Sequence, residues 1–290
     1  MNDLAPAILA ALVISIMGGA LSVFVVLKRL AFIGQGISHA AFGGVGIALV
    51  LGVHGATTMG TIGQLSIVVA FSIAAALWIA ALSRSHQGRI DTAIGVVLSA
   101  SMALGFVLFT LAESKHDHDD HGHAAHGHED QHHLIEDILF GNILATDWTK
   151  AAIASTVAAV ILFVTWFNRR RFIFWAFDQP VTDAYGQSSK RTTNTFLVLL
   201  ALAVVMAMQI AGVVLAAAML VLPGAAALNL SSKLRPVFIY SILIGTTGAA
   251  LGMTIGINAG YPAGPAIVLT QSIVYLITLI TKTLAPKLRS

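Results

Sequence analysis

Cysteine is absent from the 290 residues, which excludes a disulfide framework and a thiolate metal site and leaves any bound metal to nitrogen and oxygen ligands. Charge is scarce too: Asp, Glu, Lys and Arg make up 10% of the chain, against about a quarter in a soluble domain. No lysine follows a glycine, so the Gly-x-x-x-x-Gly-Lys-Ser/Thr phosphate loop is missing and the chain cannot bind ATP in that way. Carboxylates and histidines are nearly absent from the apolar runs, whereas ion-coupled carriers place such groups inside their spans as relays.

What remains is apolar: 57% of the residues are hydrophobic. Uncharged runs of about 20 residues cross a hydrocarbon core of roughly 30 Å as helices. They must be helical, because unpaired backbone groups are costly in lipid and the runs lack the dyad alternation of barrel strands. The expected fold is therefore an all-α integral membrane protein, a polytopic bundle of about nine transmembrane helices with eight or ten as alternatives. The spans are expected near 4–27, 30–53, 62–82, 91–111, 150–168, 194–211, 212–230, 236–257 and 262–282. The first run lacks a basic leader and a small-residue cleavage site, so it reads as a span and not as a removed signal peptide.

Threading these spans puts every Lys and Arg except Lys115 and Lys150 on one side, out of 16 in all. The positive-inside rule makes that side cytoplasmic, with the N-terminus outside and the C-terminus inside. Two spans must fit into 194–230, around Gln209 and Gly212, with Pro223 interrupting the second. Broken or short helices are the alternative there, and irregular backbone at membrane depth survives only when buried in protein or lining a cavity. Gly248, Gly252 and Gly256 form a small-residue face, for packing within the subunit or for a homodimer seam; Pro262 and Pro265 are expected to make the continuation a turn.

Two loops are long. In the extracytoplasmic loop 112–149, His116, His118, His121, His123, His126, His128, His132 and His133 crowd into 18 positions, interleaved with Asp117, Asp119, Asp120, Glu129 and Asp130. Imidazole with carboxylate suits Zn²⁺ and also Ni²⁺ or Cu²⁺, and the glycine-containing, aperiodic tract reads as exchangeable metal-capture sites, with a merely solvated polar loop as the alternative. The cytoplasmic loop 168–193 opens with Arg169-Arg170-Arg171 and an aromatic segment ending at Phe177. A polar stretch follows in which Asp178 is a candidate N-cap, Pro180 sits in the first turn and Gly186 is a stop. It reads as an interfacial anchor or as a docking element for a cytoplasmic partner.

Inside the spans, one polar group stands out. Gln35, Ser38 and His39 lie on the second run, with His39 about 13 Å deep if the helix begins at Leu30, and Gln35 one turn earlier on the same face. A transient metal contact and a histidine hydrogen-bonded between packed helices both fit.

These residues carry a family resemblance. Phe24-Val25-Val26-Leu27-Lys28-Arg29-Leu30 leading into Gly34 to His39, Arg89-Ile90-Asp91-Thr92-Ala93-Ile94-Gly95, Leu139-Phe140-Gly141-Asn142-Ile143-Leu144, and Gly212-Val213-Val214-Leu215 running to Leu222-Pro223 together resemble the permease subunits of ATP-binding-cassette importers for zinc, manganese and iron. The resemblance spans nearly the whole chain, read as one permease domain over 1–290. It implies a homodimeric pore in the bacterial plasma membrane, fed by an extracytoplasmic metal-binding protein and driven by two cytoplasmic ATPase subunits. The permease itself would be a translocation subunit and no enzyme. ATP would enter only through the partner, and zinc, or else manganese or iron, would be the transported ion with no covalently bound cofactor. It also implies that 178–190 is the coupling helix, with Asp178, Asp183, Ala184 and Gly186 against the ATPase, and that His39, Gln35 and Ser38, with Gln209 near the expected break, line the metal pathway. Members often carry aspartate at the position of Gln35, and a neutral amide is a poorer cation ligand, so that pair cannot simply inherit a family metal site. A secondary metal carrier that needs no ATPase is the alternative from a different class.

Overall fold

The computed structural model describes residues 4–53, 58–85, 90–116, 141, 143–177 and 188–284. Among these residues every regular element is helical: α1 (Ala5–Leu27), α2 (Ile33–Val50), α3 (Thr58–Ser85), α4 (Ile90–His116), a 3-10 turn (Ile143–Ala145), α5 (Trp148–Phe167), α6 (Arg169–Phe177), α7 (Ser189–Met219), α8 (Leu222–Leu230), α9 (Leu234–Ala259) and α10 (Ala263–Leu284). Eight helical stretches among the described residues are long and apolar enough to cross a membrane, one of them the 42 residues of Ser189–Leu230.

That long stretch holds two passes. A straight helix of 31 residues, the length of α7, would measure about 46 Å, too long for one crossing. Its residues report a path out and back. Phe196 to Val204 pack in the cytoplasmic-end core with Phe24, Phe172 and Trp175, Val205 to Met219 pack in the outer core with Ala7, Ala10 and Ile143, and Leu220 returns to the first core. The reversal is at Gly212, whose φ of 77° and ψ of 167° lie in a region essentially reserved for glycine. The expected boundary between 211 and 212 is thus correct, and the eight apolar stretches among the described residues amount to nine passes.

The returning arm is itself broken. Pro223 has no N–H to give the Met219 carbonyl, so the arm ends at Met219 and α8 restarts at Leu222. The gap is sealed by protein, since Met219 and Leu220 are buried. Beside it Gly224 packs on the backbone of Ser22, and the Ser22 and Ser241 hydroxyls, 2.9 Å apart, both donate to the Gly19 carbonyl.

Polar links at the basic helix ends fit the threading: Arg84 donates to Asn194 at 3.1 Å, and Lys282 to Asn229 at 3.4 Å. At the opposite ends, Asp147 caps α5 by accepting from the Lys150 N–H, and Gly260 closes α9 in the left-handed conformation. Asp91 sits in the first turn of α4, where a carboxylate suits the helix dipole.

The small-residue face of α9 packs within the subunit. Gly248 faces Gln271, Gly252 meets the Ile267 backbone and Gly256 faces Ala263, all on α10. The expected turn after Gly260 is shorter than its prolines suggested, because α10 starts at Ala263 and Pro265 lies inside its first turn, where no intrahelical N–H is needed.

Candidate pathway site

Helix α2 is enclosed on three sides because its glycines let neighbours approach. Gly36 faces Ile94 of α4, Gly44 faces Val68 of α3, and Gly34 faces Leu220 and Ala217 at the end of the returning arm. The fourth side is open only toward the Gln35 end, because further along the same face Gly46 packs on Leu108 and Gly105 of α4. At 100° per residue Gln35, His39 and Phe42 fall within about 60° of one another, forming a lane along the helix. Gln35 is exposed, His39 is half-buried one turn further, and Phe42 stacks on Phe109 of α4 with centroids 4.8 Å apart. Neither the Gln35 nor the His39 side chain makes a hydrogen bond among the described residues, so an imidazole and an amide stand unengaged on a membrane-spanning helix.

Two expectations change. Ser38 does not share the lane: it is 1% exposed, turned toward the enclosed side, and its hydroxyl donates to the Gly34 carbonyl at 2.8 Å. His39 is shallower than 13 Å, because α2 starts at Ile33 and six residues of helix amount to about 9 Å. The residues between the helices form a tight C-cap instead. The Arg29 N–H bonds the Val26 carbonyl at 3.0 Å and the Leu30 N–H bonds the Val25 carbonyl at 2.8 Å, with Arg29 at a φ of 57°.

Gln209 lies apart from this lane, exposed on the outgoing arm of α7 one turn before the reversal. No hydrogen bond links it to α2 among the described residues. The reversal instead meets the segment that follows the histidine-rich stretch. Gly141, with a φ of 62°, lies directly against Ala211 and Gly212, so close that a Cβ there would sit 2.5 Å from the Ala211 carbonyl carbon. Gly141, Gly212, Phe42 and Phe109 were not singled out as site residues from the sequence. Phe42 could have been found as the apolar residue three positions after His39 on its face.

The remaining expected positions fall elsewhere. His116 ends α4, while His118, His121, His123, His126, His128, His132 and His133, and likewise Asp178, Asp183, Ala184 and Gly186, lie outside the described residues. Among the described residues no group of three or more His, Cys, Asp or Glu gathers into a metal cage. What the lane offers chemically is one borderline nitrogen donor and one neutral oxygen donor, suited to brief contact with a cation.

The family model described as "ABC 3 transport family" matches residues 1–282. The "Manganese import system permease protein ScaB" of Streptococcus gordonii is 30% identical over 286 residues, covering 98% of this chain and 91% of its own. The "Chelated iron transport system membrane protein YfeD" of Yersinia pestis is 29% identical over 283 residues, covering 97% and 86%. Among solved structures, "PsaBC from Streptococcus pneumoniae in complex with Fab" superposes with a TM-score of 0.75 at 31% identity, covering 96% of this chain and 91% of that one.

Proposed function

Since the chain belongs to the ABC 3 transport family, we propose that it is the membrane-spanning permease subunit of an ATP-driven importer for a divalent transition metal. It works as a multi-pass subunit of the bacterial inner membrane and translocates without hydrolysing ATP, in keeping with a chain that has no phosphate loop. Hydrolysis belongs to cytoplasmic ATP-binding subunits, and the ion arrives on an extracytoplasmic metal-binding protein.

The observation that carries the reading is the open lane of α2. A half-buried, unengaged His39 with exposed Gln35 one turn below it is a costly thing to keep in a membrane helix unless it serves a passing ion. Because the lane opens outward from the subunit, a second copy of the chain would complete it, and the pathway would run between the two. His39 then contacts the ion transiently, Gln35 adds a neutral oxygen at the cytoplasmic mouth, and the Phe42–Phe109 stack forms an apolar stop one turn beyond. Gln209 would serve the outer end of the path beside the reversal. Ser38 would act indirectly, by capping the Gly34 carbonyl within α2 at the point where Gly34 meets the returning arm.

Zinc is the proposed cargo, on the strength of the histidine-rich loop, whose imidazoles and carboxylates collect that ion at the outer face. Manganese or iron is the second reading, favoured by the names of the relatives. On the cytoplasmic side Asp178, Asp183, Ala184 and Gly186 would dock the ATPase, directly after the anchored helix α6. The test is ATP hydrolysis by the purified complex with a metal-loaded binding protein. Stimulation by the zinc-loaded form supports zinc; stimulation by the manganese- or iron-loaded form alone replaces it with the second reading; stimulation by none of the three removes the importer assignment.

A further inference from the structure

Helix α6 is an amphipathic element whose two faces are chemically distinct. Its inner face is fixed. Phe172 and Trp175 are buried among Phe24 and Phe196, the Trp175 indole donates to Thr193 at 2.8 Å, and the Lys28 ammonium lies 4.6 Å over the same ring. Its outer face is uncovered. Phe174 and Phe177 are exposed there, and the end of the adjoining helix α5 also exposes aromatics, Phe163, Trp166 and Phe167, the last of them 80% exposed.

Arg169, Arg170 and Arg171 stand at the bend between these helices, all exposed. The Arg169 guanidinium lies 4.0 Å over the Trp166 ring, and none of the three arginines makes an ion pair among the described residues. Three unneutralised guanidinium groups therefore border an aromatic surface at the cytoplasmic end of a membrane span.

We propose that this surface binds the headgroups of anionic phospholipids in the cytoplasmic leaflet, the arginines meeting phosphate and the aromatics lying among the upper acyl chains. Guanidinium matches phosphate in a bidentate geometry, and Trp and Phe beside it are suited to the membrane interface. Continuity decides between a lipid and a soluble partner. Phe163 and Phe167 belong to the apolar spanning helix α5 and stack on each other with centroids 6.4 Å apart, so the exposed aromatic surface begins within a span and not only beyond its end. Because the inner face of α6 is locked into the core, a lipid bound outside would clamp the helix that leads into the following segment 178–187. This proposal stands on surface chemistry and does not depend on which ion the protein carries.

The test is lipid retention by the intact complex, purified from mixed phosphatidylglycerol and phosphatidylcholine and weighed by native mass spectrometry. The protein should retain phosphatidylglycerol preferentially, and R169Q, R170Q and R171Q should weaken that preference by about fivefold for each arginine removed. The corresponding triple lysine variant should keep most of it, and raising the salt on the unmodified protein should erode it. An unchanged preference in the glutamine variants, or insensitivity to salt, overturns the proposal. Loss of the ATPase subunits from the glutamine variant with lipid preference intact would overturn it also, by assigning the patch to protein docking.

Discussion

Gly141 and Gly212 meet backbone to backbone, both at a positive φ that favours glycine, and the contact joins the end of the extracytoplasmic loop to the reversal of α7. Neither can accept a side chain. A methyl at Gly141 would run into the Gly212 nitrogen and the Ala211 carbonyl carbon, and any side chain at Gly212 would be strained by its φ of 77°. Gly141→Ala and Gly212→Ala are each expected to cost on the order of 2–4 kcal/mol, seen as a lowered thermal midpoint of the detergent-solubilised protein. Gly95→Ala is the comparison: that glycine is exposed on α4 with open space around it, so the change should be neutral or stabilising by up to about 1 kcal/mol.

Gln271 makes a second prediction. It is fully buried against Gly248; its amide donates to the Met219 sulfur at 3.0 Å and to the Gly245 carbonyl at 3.4 Å, while its own oxygen has no partner. A half-satisfied amide contributes little beyond its volume. Gln271→Met should therefore stay within about 1.5 kcal/mol of the parent, whereas Gln271→Ala, which opens a cavity beside the break at Met219, should cost about 2–4 kcal/mol. Equal losses in denaturation experiments would show that the amide, and not the space it fills, matters.

Much of this architecture is legible in the chain because membrane burial writes itself as composition. The nine passes follow from apolar runs, and the reversal between 211 and 212 shows as two spans squeezed around a glycine. Other features depend on tertiary neighbours. Arg29 occupies a left-handed cap where glycine would be expected, so the late start of α2 at Ile33 carries no local signal. The α9 glycines announce a close approach but not its partner, which turns out to be α10. Ser38 and His39 are adjacent and both polar, yet only the packing of Leu220 against Gly34 shows which of them faces inward.

At the lane itself, His39→Ala should reduce metal-dependent transport on the order of tenfold or more, in line with losing a ligand-shell group. Its thermal stability should barely move, since the imidazole makes no hydrogen bond among the described residues. Gln35→Asp should do the opposite at scarce metal, raising initial uptake by supplying a charged oxygen. A large stability loss in His39→Ala with normal residual transport per folded molecule would mark the histidine as structural.

Deleting residues 116–133 removes the histidine cluster of the extracytoplasmic loop. A collector raises local ion concentration without forming the pore, so uptake should fall at low metal and recover when metal is plentiful. Loss at every concentration would place the loop in the pathway.

The most direct measurement is uptake of radiolabelled zinc and manganese by proteoliposomes holding the complete complex, with and without ATP, for the unmodified protein and His39→Ala. The account predicts ATP-dependent accumulation of a divalent metal that the His39 substitution sharply reduces while ATPase subunits remain bound. Accumulation by the permease alone without ATPase subunits, or unchanged uptake in the variant, would contradict it.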